Sequence, residues 1–211
     1  DVASEVLGLP LKNARVIIQG FGNVGKAVAR FLTERGVIII ATCDKAGAIH
    51  DPKGINIPAL IEFKNSGRCV QDSGLGESLR HEEMLQMESD IFIPSARPDV
   101  FSVDNQHWLK TKLVLEGANI PITHDAAEIM VDRGIVIVPD VIANGGGVIC
   151  AATEYQGMNE KQAFERIEST ISQNTREVLE RTLKQGHYPH SASIMMAKER
   201  LKEAMTFRAH M

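Results

Sequence analysis

Three glycines stand at a spacing suited to holding a phosphate: Gly20, Gly22 and Gly25 in the run Gly20-Phe21-Gly22-Asn23-Val24-Gly25. The run fits GxGxxG, in which each glycine has a separate task. The first lets the chain turn tightly out of a strand, the second lets a pyrophosphate approach the backbone, and the third lets a helix pack closely on the strand. The anion would rest on the unpaired amides at the start of that helix. Glycine-rich turns are common, so the flanking sequence has to decide. Before the run, Arg15-Val16-Ile17-Ile18-Gln19 reads as a buried strand. After it, Val24, Ala27, Val28, Phe31 and Leu32 recur at helical spacing, with Lys26, Arg30 and Glu34 on the opposite face. Gly36 ends that helix and Val37 to Ala41 is a second β-branched run, so residues 14–43 form one βαβ unit. Such a crossover requires parallel strands joined with right-handed connectivity.

At the end of the second strand stands Asp44, 24 residues after Gly20. That is close to the offset of about 20 residues expected for an acid that binds the adenosine ribose hydroxyls. An acid that merely ends a strand in a turn is the plainer alternative. The ribose reading makes NAD the expected cofactor. Lys45, the next residue, could meet the extra phosphate of NADP, which keeps that cofactor open.

These residues need a scaffold, and the rest of the chain reads as one. Asp51-Pro52-Lys53-Gly54 is a turn, Ile57 to Phe63 a short helix, 64–80 surface loop, and His81 to Glu88 another short helix. Strands follow at Ile91 to Ile93, Lys112 to Leu115 and Ile135 to Val138, with a helix over Thr123 to Arg133. Alternating apolar strands and helices imply an α/β fold, a doubly wound Rossmann-type parallel sheet covered on both faces. Past Gly147 strand signals vanish, and two long amphipathic helices span roughly 159–185 and 191–207. The expected division is a dinucleotide-binding core over 1–150 and C-terminal helices of the same domain over 151–211. The first strand comes within about fifteen residues of Asp1, as expected of a piece cut from a longer protein.

Composition narrows the function. Apolar residues make up 44% and charged residues 24%, an ordinary globular balance. A net charge of −4 without a long Lys/Arg cluster argues against nucleic acid. No apolar run is long enough for a membrane span, and no signal-peptide pattern opens the chain. The 3 cysteines, Cys43, Cys69 and Cys150, lie far apart without CxxC spacing, which suggests neither disulfides nor zinc and fits a cytoplasmic protein. His187 and His190 sit in an interhelix turn and read as surface residues, not metal ligands. The acids at 82, 83, 88 and 90 read as a solvated helix face. Met195, Met196, Met205 and Met211 lie on or after the last helix, some packing into the core and others free to touch another domain.

Four motifs follow one another in the chain: Gln19 to Gly25, Ile91-Phe92-Ile93-Pro94-Ser95-Ala96, Glu116-Gly117-Ala118-Asn119, and Val138 to Val148 with Asn144-Gly145-Gly146-Gly147. In this order they resemble the C-terminal cofactor domain of the glutamate/leucine/phenylalanine/valine dehydrogenases. The resemblance covers essentially the whole chain and is strongest to glutamate dehydrogenase. It implies that backbone at Ser95 and Ala96 lies along the cofactor ribose, and that Asn119 and Asn144 face the nicotinamide end. An amide that both donates and accepts suits a carboxamide, although asparagine also supports turns. The glycines after Asn144 would allow close cofactor approach or hinge motion.

The same resemblance implies NAD(P)-dependent oxidative deamination, with glutamate giving 2-oxoglutarate and ammonia, in a homo-oligomeric parent enzyme. In the glutamate-specific branch a serine seven residues after the second asparagine helps hold the substrate side chain, whereas this chain has Ala151 at the substrate-pocket edge. The family's catalytic lysines and aspartate belong to an N-terminal substrate domain that no part of this chain matches. No catalytic residue is therefore expected here, and the isolated chain should bind dinucleotide without oxidising amino acids. A non-catalytic Rossmann sensing module is the alternative. It would have no need of paired asparagines or a long helical tail.

Overall fold

A computed structural model describes residues 1–208. Seven strands form one sheet: β1 (Arg15–Gln19), β2 (Ile38–Asp44), β3 (Gly47–His50), β4 (Glu77–Leu79), β5 (Ile91–Pro94), β6 (Leu113–Leu115) and β7 (Val136–Val138). Their order is β4-β3-β2-β1-β5-β6-β7. β2, β1, β5, β6 and β7 run parallel, and Val16, Ile17 and Ile18 of β1 are each 0% exposed. A central strand buried on both faces has no reason to alternate polar and apolar residues, and β1 does not.

The helices are α1 (Val2–Leu7), α2 (Asn23–Glu34), α3 (Ile57–Asn65), α4 (His81–Leu85), α5 (His124–Asp132), α6 (Asp140–Ala143), α7 (Gly146–Tyr155), α8 (Glu160–Gln185) and α9 (Pro189–Arg208). On one sheet face Val16, Ile18, Ile39, Ile91 and Ile93 pack with Ala29 of α2, Leu60 of α3, Val178 and Leu179 of α8, and Ala192 and Met196 of α9. On the other, Ile17, Ile40, Phe92 and Val114 meet Met84 of α4, Ala126, Ala127 and Met130 of α5, and Phe101. Phe92 and Phe101 meet edge to face with ring centroids 5.4 Å apart, the arrangement aromatic quadrupoles favour.

The sheet departs from the expected all-parallel form on one side. β3 is antiparallel to both β2 and β4. Only Lys45 and Ala46 separate β2 from β3, and so short a link can make a hairpin but never a crossover. Residues 64–80 likewise hold more than loop: a 3₁₀ turn at Val70–Ser73 and strand β4. Val70 is fully buried and its N–H is taken by Asp44, so tertiary partners order a segment whose own sequence is polar.

The acids near residue 90 also fall differently. α4 ends at Leu85, so Glu88 and Asp90 lie beyond it. Asp90 is half-buried at the start of β5, where Oδ2 accepts the Arg15 N–H at 2.9 Å and Oδ1 meets Lys112 Nζ at 2.8 Å. It ties the amino ends of three neighbouring strands together.

Of the two long helices, α8 begins and ends where expected, whereas α9 starts at Pro189, ahead of the expected residue 191. Asn159 and Gln162 form a reciprocal capping box at the start of α8, each bond 3.0 Å, and Gly186 closes it in a left-handed conformation. α8 and α9 are then linked by Arg181 to Glu199 and by Arg200 to Glu177, with Arg181 also paired to Glu177 within α8. Met196 is buried while Met195 and Met205 are exposed, and Met211 lies outside the described residues. No helix among the described residues is long and apolar enough to cross a membrane.

Candidate cofactor-binding site

The chain leaves β1 for β2 on one side of the sheet and returns to β5 on the other. Such a reversal of strand order opens a crevice beyond the carboxyl ends of the strands, and ligands of open α/β sheets bind there. Gly20 makes the turn out of β1 at φ 106°, a backbone that side chains disfavour, and a Cβ on it would lie 2.5 Å from the Ala96 Cβ. Gly25 faces the same turn from the first coil of α2, where a Cβ would strike the Gly20 carbonyl oxygen. Ser95 holds the turn from β5, its hydroxyl donating toward the Gly20 and Gln19 carbonyls at 3.1 and 3.2 Å.

Gly22 is different. It caps α2, and a Cβ there would meet nothing within 4 Å. No side chain caps this helix, and the Lys26 N–H, bonded to Gly22 O at 2.9 Å, is the first amide engaged in its ladder. The amides of Asn23, Val24 and Gly25 thus stand at an uncapped positive helix end, which suits an anion. Asn23 and Val24 are exposed, whereas the Phe21 side chain is 1% exposed and packs in the core. Phe21 therefore contributes backbone alone.

A cleft of about 820 Å³ brings this loop together with Asp44, Lys45, Ser95 and Ala96, within the range of small-molecule sites. Lys26, Lys64, His81 and Arg97 also line it. Asp44 is more committed than its sequence position suggests. Oδ2 accepts from Lys64 Nζ at 2.6 Å and from the Val70 N–H at 2.9 Å, and Oδ1 accepts from the Ala46 N–H at 3.0 Å. A carboxylate has about four acceptor sites, so one on Oδ1 is left for a hydroxyl. Burial pushes the Asp44 carboxyl up, but Lys64 and the two backbone donors more than offset this and hold its pKa below the usual range. His81 Nε2 bonds the Asp44 carbonyl at 2.7 Å, and Lys45 is exposed at the rim. Next to it, burial pushes the Cys43 thiol up to about 12, which keeps it protonated and inert beneath the glycine turn.

Asn119 and Asn144 lie farther along the same sheet edge, outside the cleft that holds the glycines. Asn119 follows β6 and is exposed; Asn144 is the half-buried C-cap of α6. Asn144 Nδ2 donates to Asn119 Oδ1 at 2.7 Å. This bond leaves the Asn119 side-chain N–H groups as donors and the Asn144 Oδ1 as an acceptor not used between the two. Ala151 is exposed on α7, apart from the cleft.

Beneath the asparagines is a cluster that the sequence did not point to. The Glu116 side chain is fully buried, and its Oε2 accepts from the Asp140 N–H at 2.9 Å and from His190 Nε2 at 3.0 Å. His190 is therefore no surface residue. It follows Pro189 in the first turn of α9 and points inward at the end of β6 with a side chain 20% exposed. His187 is half-buried nearby. Among the described residues Glu116, Asp140 and His190 form the group with metal-compatible spacing, with ligand-type atoms within 4.8 Å of one another. Three of its four carboxylate oxygens are engaged: Glu116 Oε2 as above, and both Asp140 oxygens, which accept backbone N–H groups from Ile120 at 2.8 Å and Val141 at 2.7 Å, while Glu116 Oε1 has no hydrogen-bond partner among the described residues.

The sequence matches the Glutamate/Leucine/Phenylalanine/Valine dehydrogenase family over residues 2–209. The chain belongs to this family. Among its relatives are the glutamate dehydrogenase of Aeropyrum pernix, 34% identical over 98% of this chain and 52% of that protein, and the NAD-specific glutamate dehydrogenase of Staphylococcus aureus, 35% identical over 85% and 43%. The glutamate dehydrogenase of Thermotoga maritima is 39% identical over 73% of this chain and 37% of its own. This family member thus spans about half the length of the curated relatives it matches. Its fold is similar to that of the hetero-hexameric glutamate dehydrogenase of Thermus thermophilus, with TM-score 0.84 and 24% identity over 98% of this chain and 50% of that one.

The family motifs are readable from sequence because each is contiguous. Lys64, the Val70 amide and His81, which surround Asp44, come from separate elements and carry no local signal. An isolated lysine at the end of a helix looks like any solvated one.

Proposed function

We propose that this chain is the cofactor-binding part of an NAD-dependent amino-acid dehydrogenase acting on glutamate, giving 2-oxoglutarate and ammonia. The observation that carries the reading is the Asn119–Asn144 pair, joined at 2.7 Å, on the same sheet edge as an uncapped, glycine-led helix start. The amides of Asn23 to Gly25 would hold the pyrophosphate of a dinucleotide, the free acceptor on Asp44 Oδ1 would take an adenosine ribose hydroxyl, and the asparagines would take the nicotinamide carboxamide. When bound, the nicotinamide supplies hydride acceptance. This chain's residues supply position: Ser95 and Ala96 hold the glycine turn, and the asparagines fix the ring's carboxamide.

NAD is favoured because Asp44 keeps an acceptor toward a ribose hydroxyl and because the S. aureus relative is named NAD-specific. A 2′-phosphate would meet the same carboxylate, although Lys45, Lys64 and Lys26 offer counter-charge nearby. Glutamate is favoured by the names of the relatives. Substrate carboxylates, proton transfer and subunit assembly are assigned to parts of the protein outside these residues, and the cytoplasm is the assigned compartment. Titration with NADH and NADPH, followed by protein-to-nicotinamide fluorescence transfer, tests the reading. NADH should bind more tightly. Tighter NADPH would overturn the cofactor choice, and binding of neither would favour a sensing module for another ligand.

A further inference from the structure

Both asparagine-bearing loops are strapped to one buried hydrogen-bond cluster, and the strap reaches α9. Glu116 follows the last residue of β6, just ahead of Gly117-Ala118-Asn119, while Asp140 opens the short helix that Asn144 caps. Glu116 Oε2 accepts the Asp140 N–H at 2.9 Å, and Asp140 Oδ2 accepts the N–H of Ile120, the residue after Asn119, at 2.8 Å. The two loops therefore hold each other in both directions. Ile120 has φ 46°, a left-handed backbone that a β-branched residue adopts only under constraint. The Asp140 bond sits on that strained residue. His190 Nε2 supplies the third connection, to Glu116 Oε2 at 3.0 Å.

We propose that His190 and Glu116 are positioning residues for the nicotinamide end of the cofactor: through Asp140 they hold Asn119 and Asn144 in register, so docking of α9 sets affinity at that end. The inference rests on reading the asparagines as the carboxamide site. Removing His190 leaves Glu116 buried with one donor fewer. Its Oε1 already has no hydrogen-bond partner among the described residues, so the carboxylate has reason to turn and release Asp140. Loss of that bond frees Ile120 to leave its left-handed backbone, and Asn119 moves with it.

The groups facing His190 are Glu116 just after β6, Asp140 on α6 and His124 on α5, whose ring centroid is 6.1 Å away and which pairs with Glu128 at 3.4 Å. Tyr188, at the entry to α9, bonds Asp132 at 3.1 Å. Burial pulls the His190 pKa down, but the bond to Glu116 and the charges of Glu116 and Asp140 more than offset this and raise it above its ordinary value. The strap is thus strongest while His190 is protonated.

The test uses NADH, which reaches both ends of the site, and ADP-ribose, which lacks nicotinamide and competes at the adenosine end alone. In the unsubstituted protein NADH should bind more tightly than ADP-ribose, and its advantage should shrink as pH rises through the folded His190 pKa. His190→Ala should weaken NADH about tenfold or more, the size of losing a hydrogen bond to a charged group, and leave ADP-ribose unchanged. His190→Arg keeps a cation at the position and should restore NADH affinity without the pH dependence. Where circular dichroism shows His190→Ala unfolded, Glu116→Gln, which keeps the side-chain shape, takes its place with the same expectation. If a folded variant binds NADH as the unsubstituted protein does, the positioning role is wrong while the nicotinamide reading stands. If the unsubstituted protein binds NADH no better than ADP-ribose, the nicotinamide reading falls and takes the proposal with it.

Discussion

Gly22 and Gly25 belong to one motif yet should fail in opposite ways when each is given a single methyl group. At Gly25 the methyl would run into the Gly20 carbonyl oxygen, with the Ser95 hydroxyl 3.3 Å behind. Its neighbour there is backbone, so either α2 or the turn has to shift. Overpacking of this kind costs about 3 kcal/mol at the upper end, and the better helix propensity of alanine returns about 1 kcal/mol. The net loss is about 2 kcal/mol, or a Tm lower by about 4–8 °C for a chain of this size. At Gly22, by contrast, φ is −85° and ψ −157°, an extended backbone open to any residue, and the added methyl would touch no protein atom. Alanine there loses some capping preference but restricts the unfolded chain, two effects of about 0.5 kcal/mol that oppose each other.

Gly22→Ala should therefore melt within about 2 °C of the unsubstituted protein. Its methyl occupies the approach to the helix amides, however, and NADH should bind at least about tenfold more weakly. Thermal unfolding followed by circular dichroism and NADH fluorescence titration read the two effects separately. An unchanged NADH affinity in Gly22→Ala would refute the placement of the pyrophosphate. An unchanged melting point in Gly25→Ala would refute the steric reading of the turn.

Lys64→Ala leaves Asp44, 10% exposed, without its cation and should cost about 1–2 kcal/mol, seen as a lower urea midpoint. Because the folded Asp44 pKa lies below its ordinary 3.8, the bridge contributes above that pH and fades as pH falls through the folded value. The difference between Lys64→Ala and the unsubstituted protein should accordingly shrink as pH falls through the folded Asp44 pKa, and a difference that does not shrink in acid would contradict the linkage. Cys43, buried and with its pKa pushed up to about 12, should resist iodoacetamide at neutral pH while half-buried Cys69 reacts, a contrast that peptide mass spectrometry resolves. His190 works in the opposite sense to Asp44. Its folded pKa is raised above 6.5, so its contribution to stability is fully present below about 6.5 and is lost as pH rises through the folded value. Melts of the unsubstituted protein and His190→Ala should converge at high pH, and divergence there would show that the ion pair is not the stabilising element.

The parts of the molecule legible in sequence are those whose signals are local. The βαβ unit declares itself through a β-branched run, a glycine turn and a 3.6-residue period. The strand β1 and the caps of α8 fall where their residues demand. The antiparallel hairpin of β2 and β3 was missed, although the brevity of the Lys45–Ala46 link contained the clue. β4 and the Val70 turn carry no comparable clue: their residues are polar and glycine-rich, and order comes from pairing with β3 and from Asp44. Asp90 shows the same limit. An acid among acids reads as solvated, and only the sheet shows it joining β1, β5 and β6.

His190 carries the further lesson that the C-terminal helices are part of the site's mechanics. Read along the chain, residues 151–211 extend a core already complete at β7. In space, Val178, Leu179, Ala192 and Met196 close one face of the sheet, and the first turn of α9 places an imidazole on Glu116. Packing fixes the position of α9, and α9 in turn fixes a carboxylate that governs two loops. A mutation in the buried contacts of α9, far from any cofactor atom, is thus expected to act at the asparagines. Met196→Ala supplies that case: with Met196 3% exposed, truncation costs about 2–5 kcal/mol if the helix stays docked. If α9 loosens as a unit instead, NADH affinity should fall together with stability while ADP-ribose affinity holds. Parallel loss of both ligands would mean that α9 supports the fold as a whole and has no particular hold on the nicotinamide end.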